Sequence, residues 1–159
     1  MTIRALNELD PATLSQLLHT CCGSKAWVEK MLIHFPVVDK PALLASAAQA
    51  WHTCTPADGL EAFSHHPRIG AKTTDATAAA EQSGTRNAPA TVLETLARGN
   101  KTYEEKFGYI YIVCAAGRSA AEMLELLEMR LGNTPEKEIR IAMGEQEKIT
   151  RLRLEKLLT

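Results

Sequence analysis

Apolar positions at helical spacing, divided by capping residues, dominate the chain. Leu93, Leu96, Asn100 and Tyr103 follow one another at intervals of three or four positions in a segment that begins near Pro89, a spacing typical of an amphipathic helix. Capping side chains stand before proline or an apolar run at Asp10, Ser24, Asp39, Thr55, Ser119 and Thr134. Such residues mark helix starts. The pattern therefore predicts an all-α fold, with residues 1–159 forming a single compact domain of about seven or eight helices.

One stretch breaks this pattern. Residues 107–114 read FGYIYIVC, a β-branched and aromatic run that local propensity alone would assign to a strand. A lone strand has no partner here, because the remaining segments have helical patterns. We expect either the buried start of a helix or an extended apolar segment that lines a cavity. Residues 63–74 and 108–118 are the least helix-like, so they are candidate positions for a functional site.

The composition and charge of the chain argue against nucleic-acid binding and membrane insertion. Among 159 residues, 19 are acidic and 18 are basic, which gives a net charge of −1 and argues against a nucleic-acid surface. No apolar run approaches the length of a membrane span, and the N-terminal segment lacks the pattern of a secretory signal. We therefore expect a soluble cytoplasmic protein that binds neither nucleic acid nor membrane.

The cysteines and histidines do not indicate a metal site. Four cysteines include the adjacent pair Cys21-Cys22 but no C-x-x-C spacing, and no H-x-x-x-H spacing joins the five histidines. Zinc sites and disulfide frameworks use denser or more regularly spaced residues. We expect reduced thiols and no bound metal, with Cys21-Cys22 at the end of a helix.

Candidate acid–base groups cluster in two short segments. His66 precedes Pro67, which disfavours helical backbone at His66 and places this titratable side chain at a helix break. Glu81-Gln82 supplies a carboxylate beside a carboxamide, which suits a small polar ligand. The residues alone leave two simpler interpretations open: an exposed histidine pair with His65, and an ordinary helix end at Glu81.

Arginines supply candidate anion-binding groups. Gly117-Arg118 stands before a predicted helix, where backbone N–H groups favour anions, although an ordinary loop-to-helix junction would look the same. In the last helix, Arg153 lies about 40° from Ile149 and Arg151 about 160° from it. If Ile149 and Leu152 are buried, Arg153 is at the edge of the apolar face and Arg151 is in solvent. Arg153 then either meets an anion or extends its head group to water.

Five motifs in order resemble one family. They are F-S-H-H-P-R-I-G at 63–70, E-Q at 81–82, N-x-x-Y-x-x-x-F-G at 100–108, Y-I-V-C-A-A-G-R at 111–118, and E-x-E at 136–138 leading to I-x-x-L-R-L at 149–154. Together they are similar to 2-oxo-4-hydroxy-4-carboxy-5-ureidoimidazoline (OHCU) decarboxylases, which form (S)-allantoin in urate breakdown. The resemblance covers essentially the whole chain.

The resemblance implies an all-α carboxy-lyase that needs no cofactor, acts on a small ureidoimidazoline and forms a homodimer. Its catalytic residues correspond to His66, Glu81 and Arg153. Its substrate-binding positions correspond to Pro67, Gln82, Ile112, Val113, Cys114, Ala115 and Ala116. It does not fix the role of His65. Two alternatives are another ureide-processing enzyme and a non-catalytic helical interaction module.

Overall fold

Capping residues and prolines place the helix boundaries close to where the sequence predicts them. The computed structural model describes residues 1–159 and contains nine α-helices, one 3-10 turn and no strand. The α-helices are α1 Ile3–Asn7, α2 Pro11–Cys21, α3 Lys25–Leu32, α4 Lys40–His52, α5 Pro56–Phe63, α6 Ala76–Glu81, α7 Ala90–Phe107, α8 Ala120–Arg130 and α9 Pro135–Leu157. The 3-10 turn is Ser83–Thr85. The predicted all-α class is confirmed, and short α1 brings the number slightly above the expected seven or eight.

Side-chain caps hold several of these helix starts. The carboxylate of Asp10 accepts the N–H of Thr13 at 3.0 Å, and the hydroxyl of Ser119 accepts that of Glu122 at 3.1 Å. Each cap satisfies a backbone donor that has no partner within its helix. Hydrogen bonds to Thr13 also hold the pKa of the Asp10 carboxyl below its ordinary value. No helix is both long enough and apolar enough to cross a membrane.

The chain divides into two compact units, and the first contains residues 1–62 and 146–159. Within it, α3 packs against α2 and α4. The indole of Trp27 is fully buried and donates to the backbone oxygen of Ala47 at 3.1 Å. Cys21 ends α2, as the sequence predicts for the Cys21-Cys22 pair, and both cysteines are buried.

Residues 63–145 form the second unit, in which α7 packs against α8. Its buried core combines loop and helix residues: Ile69, Leu96, Tyr103, Tyr111, Val113, Ala115, Met123 and Leu127. The rings of Tyr103 and Tyr111 pack at 5.5 Å with an edge-on orientation, a favourable geometry for aromatic pairs. Three of the five residues at 111–115 thus belong to this core.

The apolar stretch after α7 is neither helix nor strand. Gly108 ends α7 with a φ of +83°, and the next helix begins only at Ala120. Of the two alternatives that the sequence left open, the buried helix start is therefore wrong, and the stretch is an apolar segment between helices. The physical reason is the left-handed turn at Gly108, which ends the helix. Beyond it, side chains from α8 and α9 form hydrogen bonds with the backbone groups of the segment. The Ile112 carbonyl accepts from Arg130 at 2.7 Å, and the Cys114 N–H donates to Glu145 at 3.3 Å.

The last turns of α9 show a second difference. Leu152, expected to be buried, is 41% exposed, whereas Ile149 and Leu154 are buried. Leu152 lies about 60° to one side of Ile149, and Leu154 about 140° to the other. The apolar face is therefore centred on the Leu154 side of Ile149, which leaves Leu152 at its rim and moves Arg153 towards its middle.

Candidate active site

His66 lies where the sequence predicts a helix break. Helix α5 ends at Phe63, and the backbone N–H of His66 donates to the Phe63 carbonyl at 3.1 Å, closing a turn. The following Pro67 fixes the backbone as the chain leaves that turn. His66 and Pro67 are half-buried, whereas His65 is exposed. The two adjacent histidines therefore have different surroundings, and His66 is the more enclosed.

The loop that follows His66 is anchored at Ile69 and Gly70. The buried amide of Asn100 donates to the Ile69 carbonyl at 2.9 Å, and the Gly70 N–H donates to the Gln82 carboxamide oxygen at 3.0 Å. Gly70 has a φ of +82°, a conformation that disfavours any residue with a Cβ. The side chains of Asn100 and Gln82 thus hold the loop in place through hydrogen bonds to its backbone.

A bidentate ion pair supplies a third anchor. The Arg68 guanidinium donates to the two carboxylate oxygens of Glu104 at 2.9 and 2.7 Å. Hydrogen bonding to Glu104, and then its charge, raise the pKa of Arg68 above its ordinary value. A cavity of about 350 Å³ lies beside this pair, between the loop and α7, but neither His66 nor Glu81 lines it.

Glu81 and Gln82 lie at the end of α6. Glu81 is the last residue of the helix and is half-buried; Gln82 is 7% exposed. The carboxamide oxygen of Gln82 accepts the Gly70 N–H, so this predicted substrate-binding side chain connects the histidine loop to the Glu81 segment. The first two motifs are therefore directly joined in the second unit.

Gly84 connects the same segment to the apolar stretch. A Cβ built on Gly84 would clash with the Arg118 carbonyl oxygen and would lie 3.0 Å from its carbonyl carbon and 3.3 Å from the Ser119 Cα. Only glycine permits so close an approach of two backbones. This contact brings the 3-10 turn after Glu81-Gln82 against the end of the apolar segment.

The predicted substrate-binding residues of that segment differ in exposure. Ile112, Val113 and Ala115 are buried, Cys114 is half-buried and Ala116 is exposed. Arg118, a candidate anion-binding residue, donates its Nε to the Cys114 carbonyl at 3.2 Å. The Arg118 guanidinium thus holds one backbone carbonyl of the apolar segment.

Arg153 lies in the first unit. It is half-buried and donates from Nη1 to the carbonyl of Thr20, near the end of α2, at 3.1 Å. Arg151 is exposed, as expected, and pairs with Glu155 at 3.1 Å. The two arginines therefore differ as their helical angles predict. His66 and Glu81 belong to the second unit, and the roles of all three residues stay predictions.

Sequence reasoning assigned no role to Asn100, which lies within one of the five motifs, or to Gly84, which lies two positions after the 81–82 pair. The available signals were a polar residue on the apolar face of α7 and a glycine close to that pair. No group of three or more His, Cys, Asp or Glu side chains is arranged to hold a metal ion.

Comparison with known proteins identifies the family. The model of the OHCU decarboxylase family matches residues 7–155. The Arabidopsis thaliana uric acid degradation bifunctional protein TTL is 37% identical over 87% of this chain, which covers 45% of that protein. A 2-oxo-4-hydroxy-4-carboxy-5-ureidoimidazoline decarboxylase of Halalkalicoccus jeotgali is 27% identical over 99% of this chain and 92% of its own length.

Two solved structures have folds similar to that of this chain. A crystal structure of OHCU decarboxylase in the presence of (S)-allantoin has a TM-score of 0.78 and 38% identity, over 88% of this chain and 95% of that chain. A crystal structure of (S)-allantoin synthase, at 18% identity and a TM-score of 0.76, covers 98% of this chain and 54% of that one, and shares the fold. The resemblance read from the five motifs is confirmed: this chain belongs to the OHCU decarboxylase family of carboxy-lyases.

Proposed function

We propose that the chain decarboxylates OHCU to (S)-allantoin, with His66 as the general acid. The observation that carries this proposal is the family match over residues 7–155, together with a 38% identical structure that was determined in the presence of (S)-allantoin. Membership of a carboxy-lyase family decides against the non-catalytic helical module.

The substrate's own structure explains the first step. Its carboxylate is on a ring carbon that also bears a hydroxyl and adjoins a ring C=N bond. When the bond to CO2 breaks, its electron pair forms a carbon–carbon double bond, and the C=N electrons move onto nitrogen. The ring therefore serves as the electron sink that a cofactor supplies in other decarboxylases. Buried Ile112 and Val113 would exclude water from the carboxylate and favour its loss.

The second step gives the product its handedness. The enol-like intermediate must receive a proton on one face of the carbon that bears the ureido group. We assign this proton to His66, which is half-buried on an anchored loop, because histidine is the residue type that most often serves as a general acid in enzymes. Glu81 would accept a hydrogen bond from the ring hydroxyl as it becomes a carbonyl, and Arg153 would hold a substrate oxygen through paired hydrogen bonds.

The test uses substrate generated enzymatically from urate. Loss of OHCU and the optical activity of the allantoin formed are followed with and without the chain. We expect rapid conversion to the (S) form; a rate and an optical activity equal to those of the uncatalysed reaction would refute the activity.

Two alanine variants test the assignment of the acid. His66→Ala should lose most turnover while circular dichroism shows a retained fold, whereas exposed His65→Ala should keep much of it. The opposite order would transfer the role to His65.

A homodimer is proposed from the family, and light scattering on protein eluted from a size-exclusion column tests it. The cytoplasmic location stays a prediction.

A further inference from the structure

A buried ion pair lies behind the apolar segment in the second unit. Arg130, the last residue of α8, donates from Nε to the Glu138 carboxylate at 2.6 Å. The Arg130 and Glu138 side chains are 8% and 0% exposed. Both charges are therefore removed from water, which is costly unless each is closely paired.

Further donors fix the carboxylate of Glu138. The Tyr103 hydroxyl donates to it at 2.8 Å, and the Asn133 side-chain amide donates at 3.0 Å. Burial and this hydrogen bond raise the pKa of Tyr103, so the hydroxyl stays a donor. With three partners from α7, α8 and the turn before α9, the carboxylate has little freedom to rotate. The position of the Arg130 guanidinium is consequently determined as well.

The same guanidinium holds the apolar segment. Its Nη1 donates to the Ile112 carbonyl at 2.7 Å, and the group lies 4.8 Å from the centre of the Tyr111 ring. Burial, the largest single cause, lowers the pKa of Arg130, but Glu138, Tyr103 and Tyr111 together raise it more, and the pKa lies above its ordinary value. Ile112 is 2% exposed and has no neighbouring strand. Without Arg130 its carbonyl would lack this charge-assisted hydrogen bond.

Stability alone gives weak reason for such an arrangement, because apolar residues often replace buried ion pairs without loss. We propose that Arg130, oriented by Glu138, is a positioning residue that sets the backbone of Ile112–Ala116 for substrate binding. The inference rests on the proposed function, in which this segment contacts the substrate. Arg130 itself acts through the Ile112 carbonyl.

The main test removes both charges at once. In the double variant Arg130→Met/Glu138→Gln neither partner is left as an unpaired buried charge. We expect KM for OHCU to rise by about 10-fold with a smaller change in kcat, because a binding segment loses its support. Amide hydrogen exchange at Ile112–Ala116 should become faster, measured by mass spectrometry under conditions in which both proteins are folded.

Tyr103→Phe is the matched control. It removes one hydrogen bond to Glu138 from the same buried network but leaves Arg130 on the Ile112 carbonyl. It should lower Tm, and because Arg130 and Asn133 still hold Glu138, it should change KM and exchange at Ile112–Ala116 much less than the double variant does. If the double variant keeps its wild-type KM or exchange rates, or changes them no more than Tyr103→Phe does, the positioning role is refuted.

A second variant provides the test if the double variant does not fold. Arg130→Lys keeps the charge opposite Glu138, but one ammonium group cannot reproduce the Nε and Nη1 hydrogen bonds together. The same rise in KM and faster exchange are expected; unchanged values would overturn the inference. If wild-type chain does not convert OHCU, the proposed function fails, and the exchange comparison alone decides whether Arg130 holds the segment.

Discussion

Gly84→Ala is the most direct test of the contact that joins the Glu81-Gln82 segment to the apolar segment. The new methyl group would overlap the Arg118 carbonyl oxygen and crowd the Ser119 Cα at 3.3 Å. These are backbone atoms, so no side-chain rotation relieves the overlap. Ordinary van der Waals separation requires a displacement of about 1 Å.

Two magnitudes follow from that displacement. Overpacking of this kind costs about 1–3 kcal/mol, which lowers Tm by roughly 2–4 °C for each kcal/mol in a chain of this size. A shift of about 1 Å near reacting groups can reduce activity by about 100-fold. We therefore expect kcat/KM for OHCU to fall by about 10- to 100-fold, far more than the loss of stability would cause while the chain stays folded.

The assay compares kcat/KM and Tm for Gly84→Ala with those for Gly144→Ala. The control makes the same substitution within α9, where the new Cβ meets nothing within 4 Å. It should keep activity and gain about 1 kcal/mol from helix propensity. A lowered Tm with unchanged kcat/KM in Gly84→Ala would show that the contact is structural and does not position the site.

Three further results are expected. Arg153→Lys should lower turnover sharply because the planar fork is lost. Arg151→Lys should be nearly silent, since Arg151 is exposed and its pair with Glu155 can be kept by an ammonium group; equal steady-state losses would contradict this. Burial raises the pKa of Cys22 to about 12, so its thiol stays protonated at pH 8 and should be alkylated only after denaturation; peptide mass mapping of the native chain would reveal any earlier labelling. Activity should survive incubation with EDTA, and a loss that a divalent ion restores would refute the cofactor-free mechanism.

Local signals predicted most of the fold. Proline after Asp10, and Ser119 before an apolar run, set helix starts through interactions that span three or four residues. Such signals are complete within the sequence window that contains them. The exposure of Leu152 was predicted wrongly because it depends on the elements against which α9 packs, and these are distant in sequence.

The connections within the candidate site were harder to predict. Gln82 binds Gly70 across 12 positions, and Asn100 binds Ile69 across 31; no periodicity encodes either pair. The burial of Glu138 was predictable in part, because Glu138 precedes the apolar Ala142 by one helical turn and thus lies on the inner face of α9. A charge at that position implies a buried partner, but its identity as Arg130 required the structure.

The way in which the Tyr109–Val113 stretch is held has a consequence for how the chain misfolds. Five consecutive aromatic and β-branched residues without charge or proline match the composition of amyloid-forming segments. In the folded protein, Arg130 rather than a neighbouring strand occupies the Ile112 carbonyl. Unfolding of α8 withdraws that guanidinium and frees the carbonyl for pairing with another molecule. Refolding should therefore show light scattering that rises with protein concentration, and a charged residue in place of half-buried Ile110 should suppress it.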